Sequence, residues 1–340
     1  MSPSCAARRR PRGATELLAG ALAAGAAAIL LAGCAGAPAR VPVAPVASKP
    51  EPRVASIDLV DVARPRSVPL RVAYPATGRN LPVVVFSHGA FSSKDDYVPV
   101  TDGWAGRGYV VIAITHVDSV ALGAARGKPV PGTWAGRVAD VRFVIDHLDA
   151  VAAAVPELRG RIDGQRIAVT GHSLGALLAQ AFGGMTGSDR ETGERYALRD
   201  PRIRAIVALS GVGPLAQMTV AEDFRGLSKP LFASVGTDDL AMPSASSQSG
   251  YELRRGPFDL APSGRKYLLV LRGSDHYLGG MVGRDDLPKS PDGAAYVRTF
   301  TELSGLFLDA WLKGDRSARS RLDALRLSPE QARVAELTRG

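Results

Sequence analysis

Residues 166–184 read RIAVTGHSLGALLAQAFGG. An apolar run, Ile167-Ala168-Val169, meets Gly171-His172-Ser173-Leu174-Gly175 and passes directly into a stretch of helix formers. The order is strand, sharp turn, helix, with a serine at the apex. In that context a strained turn lifts a serine hydroxyl above the edge of a sheet as a nucleophile. A glycine on each side of the His-Ser-Leu apex suits a turn too tight for side chains at those positions. If Ser173 is a nucleophile, the rest of the chain must supply a base, an acid to hold it, and amide donors for an oxyanion.

Working outward, the chain falls into an α/β rhythm. Residues 57–62 and 68–73 read as opening strands able to pair antiparallel. Residues 82–86 (PVVVF) and 109–114 (YVVIAI) are continuous β-branched runs, expected of strands covered on both faces. Residues 96–107 suit a helix, and over 137–148 the helical spacing places Val138, Val141, Val144, Ile145 and Leu148 on one face. Further strands are expected at 167–169, 203–209, 231–235 and 267–271, a helix at 248–255, and a last amphipathic helix at 300–313. Alternating strands and helices imply an α/β fold with a mostly parallel central sheet of about eight strands and helices on both faces. Functional loops then belong at the carboxyl ends of the strands. The late segments 212–229 and 244–266 are too short for a large cap domain.

After the strand at 231–235 stand Gly236-Thr237-Asp238-Asp239, and after the next strand Gly273-Ser274-Asp275-His276-Tyr277. His276 is the only one of the five histidines that follows Ser173, which makes it the candidate base. Asp238 or Asp239, leaving the end of a buried strand, can hold its tautomer and stabilise the imidazolium, while Asp275 reads as a loop carboxylate. One oxyanion donor is expected from the Leu174 amide and the other from the loop Ser87-His88-Gly89-Ala90-Phe91. Ala90 is favoured there, with Phe91 as the alternative and His88 in a turn-shaping role. Phe91, Trp134 and Leu278, with Met185 and Met281, can line an apolar acyl pocket, though each is equally at home in a core.

The pieces VVVFSHG (83–89), GYVVIAITHVDS (108–119), RVADVRFVIDHL (137–148), IAVTGHSLGA (167–176), DPRIRAIVALSG (200–211), GTDD (236–239) and GSDHYLGG (273–280) together resemble the α/β-hydrolases. Among these they resemble the broad group that takes in the bacterial predicted dienelactone hydrolases and the platelet-activating-factor acetylhydrolase-like esterases. The resemblance covers most of residues 55–313 and implies the α/β-hydrolase fold, with chain order nucleophile, acid, histidine. The loop layout Gly-x-x-Asp…Pro of such proteins favours Asp239, lying between Gly236 and Pro243, with Asp238 in reserve. True dienelactone hydrolases use a cysteine nucleophile, and dehalogenases and epoxide hydrolases of this fold an aspartate. Ser173 therefore implies hydrolysis of carboxylic esters, small-molecule or lipid, through an acyl-enzyme, with no metal or cofactor. The reading from another class is a catalytically silent surface lipoprotein that binds a ligand or partner in the same cleft.

The amino-terminal segment reads as targeting. Arg8, Arg9, Arg10 and Arg12 precede an apolar run over 17–31, short for a membrane span, which ends in Leu31-Ala32-Gly33-Cys34. This ending resembles the bacterial lipoprotein signal, in which Cys34 carries the acyl chains, palmitate among them, and becomes the mature terminus; a plain signal cut near Ala37 is the other reading. The expected layout is a signal peptide over 1–33, a Pro/Ala-rich tether over 34–54, a catalytic domain over 55–315 and a polar, partly helical tail over 316–340. Ala35 after Cys34, with no aspartate there, resembles lipoproteins sent to the outer membrane, so an exported, lipid-anchored envelope protein is expected. The two cysteines, Cys5 and Cys34, leave the domain no disulfide and no zinc-type spacing. Removing residues 1–33, with four arginines and one glutamate, lowers the net charge from +9 to +6. That charge is spread without basic blocks or interleaved aromatics, which gives nucleic-acid binding no support.

Overall fold

The computed structural model describes residues 51–240 and 249–340; the expected signal segment, Cys34, most of the tether, and Met242 and Pro243 lie outside them. Strands β1 (Arg53–Asp61) and β2 (Arg66–Tyr74) pair antiparallel from Arg53 opposite Tyr74 to Asp61 opposite Arg66, so the folded domain already includes Arg53 and Val54. There follow β3 (Leu81–Ser87), α1 (Val98–Ala105), β4 (Val110–Ile114), α2 (Thr133–Asp146) and α3 (Leu148–Ala154). The expected single helix over 137–148 divides at His147, whose backbone (φ −121°) leaves the helical region. Next come β5 (Ile162–His172), α4 (Leu174–Phe182), a small hairpin of β6 (Thr186–Ser188) and β7 (Arg195–Ala197), then β8 (Ile203–Leu209) and β9 (Leu231–Gly236). Helix α5 (Gly250–Leu260), β10 (Lys266–Leu271) and the long α6 (Gly293–Leu312) complete the expected set.

Residues 316–340 are not a tail outside the domain. They form α7 (Arg316–Asp323), α8 (Pro329–Val334) and β11 (Ala335–Arg339), and β11 pairs antiparallel with β10. Ala318, Leu322, Val334 and Ala335 are buried there, enough apolar surface to dock the segment although most of its residues are polar. Among the described residues the main sheet has nine strands in the order β1-β2-β4-β3-β5-β8-β9-β10-β11, parallel from β4 through β10.

Each face of the sheet carries its own core. Val83 and Val85 of β3 pack with α2–α5 on one face, and Val84 and Phe86 with α1 and α6–α8 on the other. Burial on both sides is why β3, β4 and β8 are nearly continuous apolar runs. The strand order turns at β3, with β4 on one side and β5 on the other. Because α1 leaves β3 for one face and α4 leaves β5 for the opposite face, a crevice opens above their carboxyl ends, where open α/β sheets hold their ligands.

Candidate active site

Ser173 occupies the tight junction between β5 and α4 with φ 53° and ψ −114°, a conformation costly for any residue but glycine. Its surroundings enforce it. The Ser173 N–H donates to the Leu209 carbonyl of β8 (3.0 Å), and its carbonyl accepts from Leu177 N–H of α4 (3.0 Å). The flanking glycines are required by contact: a Cβ at Gly175 would lie 2.0 Å from the Ser87 carbonyl oxygen, and one at Gly171 2.4 Å from the Gly175 carbonyl carbon. The end of β3 thus lies backbone to backbone against the turn. Ser173 is half-buried and faces a cavity of about 700 Å³.

Ala90 and Leu174 line the same cavity, and among the described residues neither amide donates to a protein acceptor. Leu174 is the first residue of α4, where an N–H has no partner within the helix. The Phe91 amide, the alternative donor, is engaged by Asp118 Oδ2 (3.3 Å), which leaves Ala90 as the free donor of that loop.

His276 and Asp239 meet as the spacing suggests: His276 Nδ1–H donates to Asp239 Oδ1 at 2.6 Å. Asp239 also accepts Ser210 Oγ–H on Oδ2 (2.7 Å) and Leu240 N–H on Oδ1 (2.8 Å), with the buried Arg254 guanidinium 3.6 Å away. Burial alone would raise the Asp239 carboxyl; the hydrogen bond and charge of His276, then Arg254 and Ser210, outweigh it and hold the carboxyl below its usual value. Burial pushes His276 below the ordinary histidine value against the pull of Asp239, so it is a neutral imidazole at neutral pH. Asp238 is exposed at the turn, where Thr237 Oγ donates to it (3.0 Å). Asp275 accepts the amides of Tyr277 (2.9 Å) and Gly279 (2.7 Å) and shapes its loop.

Two residues without an expected role tie these parts together. His172 Nε2–H donates to the His276 carbonyl (2.8 Å), and the two rings lie 4.4 Å apart. Its Nδ1 therefore accepts from the Tyr97 hydroxyl (2.8 Å), which itself accepts the Gly89 N–H (3.1 Å). Burial holds His172 well below its usual value, which keeps this tautomer neutral. One hydrogen-bonded chain thus runs from the loop after β3, past the elbow, to the histidine loop. The Ser173 hydroxyl itself bonds no described group.

A second hydroxyl–imidazole–carboxylate set lies beneath. Ser87 Oγ–H donates to His116 Nε2 (2.9 Å), and His116 Nδ1–H to Asp140 Oδ2 (3.0 Å). All three are fully buried, so no substrate reaches Ser87. Hydrogen bonding alone would point to Ser87; what distinguishes Ser173 is that it faces the cavity. Beside this set the buried Arg137 of α2 pairs with Asp118 (2.8 Å) and donates to the His88 carbonyl (2.6 Å). A signal for these residues was present in the sequence: Arg137 and Asp140 sit at helical spacing with Val141 and Val144, inside the apolar stripe of α2.

Of the expected pocket residues, Phe91 and Trp134 line the cavity beside Ser173, together with Leu177, Val212, Leu215 and Met218. Leu278 does not: it turns inward at φ 53° and is buried in the core of the α1–α6 face. Met185 belongs to the opposite core, and Met281 packs against the same core as Leu278. A hollow of about 560 Å³ beyond Trp134 contains none of the elbow residues. Among the described residues no cluster of three His, Cys, Asp or Glu side chains is arranged to hold a metal ion.

A serine elbow at the switch of a parallel sheet, with an Asp-held histidine on the late loops, defines the alpha/beta hydrolase class. The model of the alpha/beta hydrolase family matches residues 84–338, and the chain belongs to that family. Among solved structures it is similar to a ferulic acid esterase from Streptomyces cinnamoneus, with a TM-score of 0.59 and 19% identity over 87% of this chain and 98% of that one. At that identity the likeness establishes the fold. No curated protein matches the chain.

Proposed function

We propose that the chain is a carboxylic ester hydrolase working by two-step acyl transfer. Ser173 attacks the ester carbonyl as His276 takes its proton, and the amides of Ala90 and Leu174 receive the oxyanion. Asp239 holds His276 with Nε2 free and stabilises the imidazolium; His276 then protonates the departing alcohol and activates the water that releases the acid. Substrate binding completes the Ser173–His276 contact, which is commonly loose without ligand. The observation that carries the reading is the 2.6 Å Asp239–His276 bond on a loop tied directly to His172, the residue before Ser173. The apolar walls of the cavity suit a compact alkyl or aromatic group, so the substrates to compare are acyl esters of increasing chain length and an aromatic ester such as a feruloyl one.

The test is labelling by a fluorophosphonate with and without Ser173→Ala. Labelling at Ser173 and a fall in kcat of about 10³-fold or more in the folded variant are expected. An unlabelled folded protein would instead support a silent binding role. We further propose that Cys34 is the lipid anchor of an outer-membrane envelope protein, supported by the Arg-rich start, the apolar run and Leu-Ala-Gly-Cys. Uptake of a fatty-acid analogue that is lost in Cys34→Ala tests it; wholly soluble, unlabelled wild-type protein refutes it.

A further inference from the structure

We infer that Arg137, held by Asp118, is a positioning residue that aims the Ala90 amide at the oxyanion, an inference that rests on the esterase reading. Arg137 is fully buried and is not among the residues that line the cavity. Its Nη1 donates to the His88 carbonyl (2.6 Å) and its Nη2 to the Gly89 carbonyl (3.1 Å). Its other edge is fixed by Asp118, which accepts Nε–H on Oδ1 and Nη2–H on Oδ2, both at 2.8 Å.

The consequence follows from the geometry of a peptide. The Gly89 carbonyl and the Ala90 N–H belong to one planar trans unit, so they point in opposite directions. Drawing that carbonyl down toward Arg137 turns the Ala90 N–H up into the cavity beside Ser173. His88 pulls the same way: its Nε2 accepts the His116 amide (3.0 Å), so Nδ1 carries the proton and donates to the Gly89 carbonyl (2.6 Å). The preceding peptide is pinned at both ends, its carbonyl by Arg137 and its N–H by Tyr97. Asp118 also takes the Phe91 amide, so the units on both sides of Ala90 N–H are tied while that donor stays free.

Orientation is one effect and polarisation the other. A cation bonded to a peptide oxygen draws electron density from the amide and strengthens its N–H as a donor, more so away from water. A fork of donors on two successive carbonyls is something arginine makes and lysine does not. Both effects matter most when charge develops on the substrate oxygen. The loss should therefore fall on the transition state and spare ground-state binding.

The experiment compares wild type with Arg137→Lys, Arg137→Gln and Asp118→Asn on a p-nitrophenyl ester, with kcat expressed per site titrated by a fluorophosphonate. Affinity for an alkyl boronate, which forms a tetrahedral anion on the serine, is measured alongside. We expect the Arg137 variants to lose about 10- to 10³-fold in kcat, up to the loss from deleting an oxyanion donor. KM should stay within about threefold, and boronate affinity should fall in parallel with kcat. Asp118→Asn, which keeps the side-chain shape, should show the same pattern at about tenfold and serves where the Arg137 variants do not fold. Per-site kcat within about threefold of wild type, or unchanged boronate affinity, overturns the inference. A purely structural role would lower the number of titratable sites and leave each surviving site unchanged. Failure of wild type itself to label at Ser173 or bind boronate would instead sink the esterase reading.

Discussion

Replacing Asp239 by Asn removes one charge from a site whose hydrogen bonds dictate how the new side chain must sit. Both His276 Nδ1–H and Leu240 N–H point at Oδ1, so the amide oxygen must take that position and the amide nitrogen the Oδ2 position. There it meets Ser210 Oγ, whose hydroxyl can rotate from donating to accepting. The His276 tautomer survives, and on the proposed mechanism what disappears is the carboxylate facing the imidazolium in the transition state. Unit charges about 4 Å apart at an effective dielectric of about 20 attract by about 4 kcal/mol, close to 10³-fold in rate. The pH profile gives a second reading. The carboxylate raises the His276 value, so without it His276 titrates lower and the acid limb of kcat/KM moves to lower pH while the plateau falls. Asp238→Asn, at an exposed turn, should leave both plateau and limb near wild type. Per-site kcat/KM across pH for the two variants is the assay. More than about a tenth of wild-type rate in folded Asp239→Asn, or a larger loss in Asp238→Asn, refutes the reasoning.

Three further outcomes are expected. Arg254→Gln removes a cation that disfavours the charged imidazole, so His276 should titrate higher and activity should be lost at a higher pH on acidification; an unmoved limb would separate Arg254 from the site. Tyr97→Phe leaves the buried Gly89 N–H and His172 Nδ1 without partners, at about 1–3 kcal/mol each, and should lower Tm by about 2–4 °C per kcal/mol in calorimetry. Gly175→Ala puts a methyl group 2.0 Å from a main-chain oxygen that no rotamer change relieves, so it should cost more than the usual overpacking loss of about 1–3 kcal/mol, read from a urea titration.

The sheet was legible where both faces of a strand are covered. Residues 203–209 form a strand over the whole expected span because burial on two sides writes an apolar run broken only by the exposed Arg204. The elbow was legible because its chemistry requires five contiguous residues. The Asp239–His276 pair was legible because each follows its own strand onto the same edge of the sheet. Strand β11 was not: AELTR is short and mostly polar, and its place depends on the open edge of β10. The bracing residues were hidden for another reason. The apolar stripe of α2 marks Arg137 as buried but not its partner: Arg137 meets Gly89 across 48 residues and Tyr97 meets His172 across 75, and no local period records which contacts the fold makes. The inward turn of Leu278 lies in a left-handed run through Gly280, which the double glycine hints at without saying which way the leucine goes.

The backbone-to-backbone seam between Ser87 and Gly175 ties activity to the survival of the whole fold. It joins the end of β3 to the first turn of α4, beside β5 in the middle of the sheet, at a point where neither can shift without the other, far from frayed termini and edge strands. Amide hydrogens on either side of the seam should exchange only through global opening, among the slowest in the molecule. On heating, turnover should then persist until the domain melts and vanish over the same few degrees. Remaining activity after a heat pulse would count intact molecules, not partly damaged ones.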